Sequence, residues 1–269
     1  MGQHFLADPR VAARIAAAVA NRPERVCLEV GPGLGALTAA LTDAGRRVVA
    51  VEIDRGLAAF VRDLAGVDGA PVTVVEGDAR TVDLAGLSAP ADTLFVGNLP
   101  YYASSPLLRR ALALGYPAAV VMVQREVAGR LVAPPGRPLR SGLTVLREAV
   151  CAMEVLFSVP PEAFYPRPEV ESAVVRLTRR PDALAGAAYA RLERALRAGF
   201  GHRRKGMRQA LRHGTALSPG EVEAALARAG VEGQRRPETL SLAEWDALAR
   251  ALEEEGGEGA WRPEARAGS

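Results

Sequence analysis

The chain has 269 residues, 49% of them apolar and 24% charged, enough to bury a substantial core and too hydrophobic for disorder to dominate. Thirty-four Lys and Arg against 31 Asp and Glu leave a net +3, too little to indicate a nucleic-acid partner until its distribution along the chain is known. No run of about 18 apolar residues is present to span a membrane, and no basic region followed by an apolar one opens the chain, so no secretory leader is expected.

Cys27 and Cys151 lie far apart in apolar segments. They read as buried thiols rather than a disulfide, which fits a reducing cytoplasm. His4, His202 and His213 keep no zinc-ligand spacing with each other or with the cysteines, so no metal site is expected.

In chain order, Asp8 followed by Pro9 opens a helix with a capping acid and a first-turn proline, and Val11, Ala12, Ile15, Ala16 and Val19 recur at helical spacing. Residues 26–30 read as a short buried strand, followed by a glycine turn and a helix through Leu37, Ala40 and Leu41. A second strand at 48–53, a helix at 57–64, a third strand at 72–75 and a fourth at 94–96 continue the alternation. A helix at 105–114 and an apolar strand at 118–123 follow. Strands alternating with helices over this length predict an α/β fold, a doubly wound and mainly parallel sheet with helices on both faces. Residues 133–141 are a loop by composition, and 149–159 and 171–178 read as late strands separated by a proline-rich segment. Beyond Arg180 the strand signal ends and an Ala, Leu and Arg-rich helical pattern begins.

The segment LEVGPGLG sets Gly31, Gly33 and Gly35 at the first strand-to-helix turn, where ligands bind in open α/β sheets. Glycine there lets the backbone approach a ligand and permits positive φ. The same loop satisfies the dinucleotide fingerprint as Gly31-x-Gly33-x-x-Ala36, and Glu52 ends the second strand about 20 residues on, where a ribose-binding acid is wanted. A nucleoside cofactor is expected, its identity left open by these features. Asp78 is a second acid able to accept from an adenine amino group, or in the plainer reading a turn aspartate. Glu29 is a strand-end carboxylate placed to hold the loop or to face the charged end of a cofactor.

The fourth strand ends in Asn98-Leu99-Pro100-Tyr101 at the same sheet edge. The Asn98 side-chain oxygen and the Leu99 main-chain oxygen can each accept a hydrogen bond from an exocyclic amine. Pro100 fixes φ and aims both acceptors, and Tyr101 offers a stacking face. An adenine N6 lone pair is delocalised into its ring. Two acceptors that pyramidalise the nitrogen localise that pair toward an electrophile in line, so the work is orientation and electrostatics rather than general-base catalysis.

With GQHFL at 2–6, EVGPGLGALT at 29–38, VEID at 51–54, GDA at 77–79, NLPY at 98–101, QREVAGRL at 124–131, PPEAFYPRPEVESAVVRL at 160–177 and FGHRRKGMRQAL at 200–211, the chain resembles the Rossmann-like S-adenosylmethionine-dependent methyltransferases. Within them it resembles the bacterial small-subunit rRNA adenine N6-dimethyltransferases (the KsgA group). The resemblance implies S-adenosyl-L-methionine as cofactor, S-adenosyl-L-homocysteine as product, and dimethylation of N6 of two adjacent adenosines in a 3′-terminal hairpin loop of 16S rRNA. It further implies a role in rRNA processing and ribosome biogenesis, with an immature small subunit as partner and a monomeric, cytoplasmic enzyme.

Carried over by position, His4, Leu6, Gly31, Gly33, Glu52, Asp78 and Asn98 are the implied cofactor contacts. Asn98, Leu99, Pro100 and Tyr101 are implied to hold the target base, with Phe164 packing on its opposite face. Two departures stand out: His4 replaces the family's usual asparagine, and the basic stretch that the family carries ahead of GQ is missing from a sequence that opens at Met1. The second departure leads to an expectation of weaker RNA or cofactor binding.

From Arg191 to Arg212, eight basic residues including the chain's single lysine, Lys205, face one acid, Glu193, a local +7 that leaves −4 for the rest. Arg203, Arg204, Lys205 and Arg208 are the expected phosphate-binding cluster, positioning RNA without reading its sequence. The expected organisation is a methyltransferase domain at 1–180, a smaller all-α RNA-binding domain at 181–255 and a frayed tail at 256–269. Two alternatives stay open: a large-subunit rRNA adenine methyltransferase of the macrolide-resistance type, and an NAD-dependent oxidoreductase, which would leave NLPY and the Arg-rich segment without work.

Overall fold

The computed structural model describes residues 3–262. The chain runs through β1 (Phe5–Leu6), α1 (Pro9–Ala20), β2 (Val26–Val30), α2 (Ala36–Asp43), β3 (Arg47–Glu52), α3 (Arg55–Asp68) and β4 (Val72–Glu76). Then come α4 (Leu84–Leu87), β5 (Thr93–Asn98), α5 (Ser104–Leu114), β6 (Ala118–Gln124), α6 (Arg125–Leu131), α7 (Gly142–Val150), β7 (Cys151–Val159), β8 (Phe164–Tyr165) and β9 (Ser172–Arg179). Four longer helices follow, α8 (Gly186–Phe200), α9 (Met207–Gly214), α10 (Pro219–Arg228) and α11 (Leu242–Gly256).

These elements form two compact units. One holds the residues up to Ala128 together with Cys151–Pro181, the other Gly129–Val150 with the residues from Asp182 onward. Residues 129–150 therefore group with the helical unit although they lie inside the segment expected to form the methyltransferase domain. Residues 263–269, part of the tail expected to fray, lie outside the described residues.

The first unit is built on a seven-stranded sheet of order β4-β3-β2-β5-β6-β9-β7. Strands β4 to β6 in that order are parallel, and β9 runs antiparallel to both β6 and β7. The central strands are apolar at almost every position and buried on both faces, as helix-covered parallel strands must be. From β2 the chain winds outward through β3 to β4, then resumes on the other side with β5 and β6. The carboxyl ends of β2 and β5 thus part at a topological switch point, the place such sheets reserve for ligands.

One close contact fixes this edge. A Cβ on Gly97 would lie 2.6 Å from the main-chain oxygen of Val30, so glycine is what lets β5 lie against β2 one residue before Asn98. At the opposite, amino edge of the sheet, the buried guanidinium of Arg46 donates to the main-chain oxygens of Val19, Ala20, Arg22 and Glu24. One cation thereby satisfies the carbonyls that the end of α1 leaves without intrahelical partners. The opposite end is capped as the sequence predicts, with the Asp8 carboxylate accepting from the Arg10 amide. The predicted stripe Val11, Ala12, Ile15, Ala16 and Val19 is buried.

A separate two-stranded ladder pairs β1 with β8, Phe5 opposite Tyr165 and Leu6 opposite Phe164. Strands this short give no periodic signal, and the sequence reading does not anticipate them. It also expects strand from 149 onward, whereas Ala149 and Val150 close α7 and the strand begins at Cys151. A short apolar run does not tell helix from strand by periodicity. Here Ser141 and Thr144 exchange hydrogen bonds at the start of α7 and commit it to helix. Cys27 and Cys151 are buried and form no disulfide.

The second unit is helical. Leu192, Leu196, Met207, Leu211, Val222, Leu226, Leu248 and Leu252 are buried in it together with Trp245, whose indole N–H donates to the Pro237 oxygen at 3.3 Å. Ser218 with Glu221, and Ser241 with Glu244, form capping boxes that start α10 and α11. Arg140 is fully buried and satisfied by the Ala133 and Leu240 oxygens and the Glu148 carboxylate. No helix among the described residues is long and apolar enough to cross a membrane.

Gly97→Ala is expected to destabilise the chain by about 1–3 kcal/mol through overpacking, with a matching fall in the urea midpoint. An unchanged midpoint would show that β2 and β5 yield to a methyl group.

Candidate active site

At the carboxyl end of β2 the chain turns through Gly31, Gly33 and Gly35, all at positive φ. Gly33 is pressed on from outside: a Cβ there would lie 2.9 Å from the Phe5 ring. Its amide donates to Glu52 Oε2 at 3.2 Å, and the Asp54 amide donates to Glu52 Oε1 at 3.0 Å. Glu52, almost fully buried at the end of β3, thus ties the glycine loop to the next strand while bordering the cleft. Asp54 in turn accepts from the Gly56 and Leu57 amides and caps α3. Glu29, also buried, accepts from the Thr38 hydroxyl at 2.7 Å. Burial pushes its carboxyl up to about 7, the Thr38 hydrogen bond opposes that, and the neighbouring Glu52 carboxylate adds to it.

Across the cleft, Asp78 follows β4. Both its oxygens are engaged by the Arg80 guanidinium, Oδ1 by Nε at 3.0 Å and Oδ2 by Nη2 at 2.6 Å, and the Arg80 amide donates to Oδ1 at 2.8 Å. These bonds hold the Asp78 carboxyl below the usual carboxylate range. The loop is anchored from α5, where Arg110 donates to the Ala79 and Val82 oxygens.

Asn98 ends β5, and the backbone is pinned immediately after it by the Leu99 amide on the Met122 oxygen, 3.1 Å. The Asn98 Nδ2 donates to the His4 main-chain oxygen at 3.1 Å, which assigns the other end of the amide, Oδ1, as the group left to accept. The His4 ring leans on Tyr101, centroids 5.4 Å apart, and its Nδ1 lies 2.7 Å from the Pro166 oxygen. Because a carbonyl only accepts, Nδ1 is the donor in this bond. Tyr101 is held at its far end, its hydroxyl 2.9 Å from Ser172 Oγ.

One cleft is therefore lined by His4, Leu6, Gly31, Gly33, Glu52, Asp78, Asn98, Leu99, Pro100 and Tyr101, residues drawn from five separate stretches of sequence. Phe164 is not brought to it. Its ring is buried in the core with Leu6 and Val159, and its neighbour Tyr165 is the exposed one. The sequence reading misses Arg80, Arg110, Thr38 and Ser172, scattered over a loop, two helices and a strand, whose importance lies in what they hold.

In the second unit, residues 201–205 form an exposed turn between α8 and α9. Arg203 spends its guanidinium on the Pro138 and Arg140 oxygens. Arg208 and Arg212 share Glu223, and Arg191 and Arg194 share Glu253. Arg204 and Lys205 are exposed and form no ion pair among the described residues. The local +7 thus shrinks in three dimensions to a small positive turn.

The model of the family described as ribosomal RNA adenine dimethylase matches residues 1–254. The chain is 45% identical to the ribosomal RNA small subunit methyltransferase A of Anaeromyxobacter dehalogenans, over 93% of this chain and 92% of that one. Among solved structures it is similar to the 23S rRNA methyltransferase ErmE, with a TM-score of 0.64 and 32% identity over 93% of this chain and 99% of the other. A dimethyladenosine transferase from Plasmodium falciparum shares the fold, with a TM-score of 0.75 and 23% identity over 94% of this chain and 98% of the other.

Glu29 binds its proton more tightly folded, at about 7, than unfolded, near 4.5. The stability that goes with the protonated form is present below about pH 4.5 and is lost as pH rises through 7. Glu29→Gln does not titrate and still accepts from Thr38. It is expected to exceed the native chain in stability at pH 8 by up to about 3 kcal/mol, the gap closing toward pH 5 in urea unfolding. A gap that does not change with pH would mean that Glu29 titrates alike in both states.

Proposed function

This chain belongs to the ribosomal RNA adenine dimethylase family, and from that premise we propose that it dimethylates N6 of two adjacent adenosines in a hairpin loop near the 3′ end of 16S rRNA. The family makes it a Rossmann-like methyltransferase that uses S-adenosylmethionine. The proposal extends to S-adenosylhomocysteine as product, an immature small subunit as substrate, and a cytoplasmic monomer as the working form. The observation that carries it is the Asn98 amide, fixed by the His4 oxygen so that its own oxygen is free to accept from a base amine.

The residues fit the cofactor. A carboxylate offers about four acceptor positions, and two main-chain amides occupy one position on each oxygen of Glu52, so the ribose hydroxyls have acceptors there. Asp78 accepts the adenine amine beside its Arg80 partner. Two buried acids, Glu29 and Glu52, suit a ligand whose sulfur is cationic, while His4, Leu6, Gly31 and Gly33 shape the cleft. When bound, S-adenosylmethionine supplies an electrophilic methyl group.

The chain's own work is to aim the nitrogen. Asn98 Oδ1 and the Leu99 oxygen accept the two N6–H bonds, Pro100 holds both acceptors in one direction, and Tyr101 bears the base on its ring. These dipoles are set before the base arrives, so none has to reorganise as charge develops. Phe164 supports the arrangement from the core, through its pairing with Leu6. Of the basic cluster, Arg204 and Lys205 are the phosphate contacts in this reading, while Arg203 ties the turn to the Pro138 and Arg140 oxygens and Arg208 pairs with Glu223. The higher identity to a small-subunit enzyme than to the large-subunit ErmE supports 16S over 23S rRNA as substrate.

Undermethylated small subunits incubated with labelled S-adenosylmethionine are expected to carry the label in N6-dimethyladenosine. Label in another base, or only in large subunits, would overturn the proposal. Asn98→Ala is expected to lower kcat by roughly 100-fold or more while S-adenosylhomocysteine still binds in calorimetry, and near-native kcat would sink the role given to the amide. Reversing Arg204 and Lys205 to Glu is expected to flatten the dependence of log K on log salt by about 1.5, and an unchanged slope would take the turn out of the RNA interface.

A further inference from the structure

Only 5% of the residues are aromatic, and most of the aromatic rings among the described residues are at least partly buried. The two most exposed are Tyr165, at 76%, and Tyr102, at 63%. Both belong to the same place. Tyr102 directly follows the Asn98 to Tyr101 turn and lines the cleft. Tyr165 lies directly opposite Phe5 in the β1–β8 ladder. Cross-strand partners point to the same face, so Tyr165 shares the face of Phe5, whose ring presses on the glycine loop at Gly33, while Phe164 on the other face is buried; Tyr165 stands outside the cleft lining itself. The next residue, Pro166, receives the His4 ring through its main-chain oxygen, which holds the Tyr165 backbone beside the base-binding turn. An exposed ring forgoes the stabilisation that burial gives, and two of them beside one cleft point to a planar partner.

We propose that Tyr102 and Tyr165 form a stacking platform beside the cleft for the unpaired RNA bases that flank the adenosine being methylated. The inference rests on the rRNA adenine reading and adds the part of the RNA that stays outside. An adenosine drawn into a pocket leaves its stack, and its neighbours each lose a stacked face. A tyrosine ring replaces that face without reading base edges, because every base presents a π surface. Such a platform tolerates either member of an adenosine pair, including one whose N6 already carries two methyl groups. It is uncharged, so its share of affinity does not depend on salt, in contrast to Arg204 and Lys205.

The test uses an RNA hairpin containing the two adjacent adenosines, with 2-aminopurine at the neighbouring position, titrated with the full chain and with Tyr102→Ala, Tyr165→Ala, their double variant and the corresponding Phe variants. Alanine is expected to relieve the 2-aminopurine quenching seen with the native chain. Each alanine should raise Kd for the hairpin at least five-fold, from about 1–3 kcal/mol per stacked base, with the salt slope and the S-adenosylhomocysteine Kd unchanged and the Phe variants like the native chain. Native quenching and Kd in the double alanine variant would overturn the platform, as would a loss of affinity that appears wholly in the salt slope. Failure of the native chain to place any methyl on adenine N6 would instead remove the reading beneath it, an outcome read from the label and not from the fluorescence.

Discussion

The side-chain amide of Asn98 can donate at one end and accept at the other, and the main-chain oxygen of His4 occupies the donating end. Much of the first unit can be traced back to the need to bring those two atoms together. Asn98 is delivered by β5, whose last turn is set by the close passage of Gly97 over Val30 and by the Leu99 amide on Met122. His4 is delivered from the other side by β1, which is held by pairing with β8 and by the Ala7 amide on the Ala163 oxygen, 2.8 Å. Stretches of chain separated by more than ninety residues therefore meet at one amide, and its orientation needs neither a charge nor a metal. The departure of His4 from the family's asparagine leaves this contact untouched, because the oxygen belongs to the backbone.

The acids of the cleft fall into two electrostatic kinds. Asp78 is exposed enough to hydrate and is matched by Arg80, so its charge costs little. Glu29 and Glu52 are buried next to one another at the ends of adjacent strands, and a hydroxyl and two amides are their recorded partners. Burial and the neighbouring Glu52 carboxylate disfavour the charge on Glu29, and a cationic ligand would favour it. The floor of the cleft is in this sense incomplete without positive charge, whereas its far wall is complete already.

Much of this was legible in the sequence because it is local. The α1 cap and stripe, the glycine turn, the acid ending β3 and the run of buried strands each declare themselves within a dozen residues. What stayed hidden depends on the third dimension. Arg46 reads as a surface arginine until four carbonyls converge on it. Phe164 and Tyr165 are adjacent aromatics in sequence, and only the register of a two-residue ladder decides that the first is core and the second is surface. The charge run at 191–212 looked like a single patch, but acids from Glu223 and Glu253 return to neutralise much of it. Helix α7 escaped for a different reason, since its apolar positions suit a strand as well as a helix.

The interleaving of the two units bears on how the chain is made. Helix α7 carries Leu143, Val145, Leu146 and Val150, all of which are buried in the finished protein, and it is synthesised early. The helices that share its unit lie beyond Asp182. Until they follow, α7 lacks the helices of its own unit while β7 and β9 are being added to the sheet, the kind of exposed intermediate that invites aggregation. A fragment ending near residue 180 would hold that state permanently. A cut at the apparent boundary therefore divides the helical unit instead of separating it from the sheet.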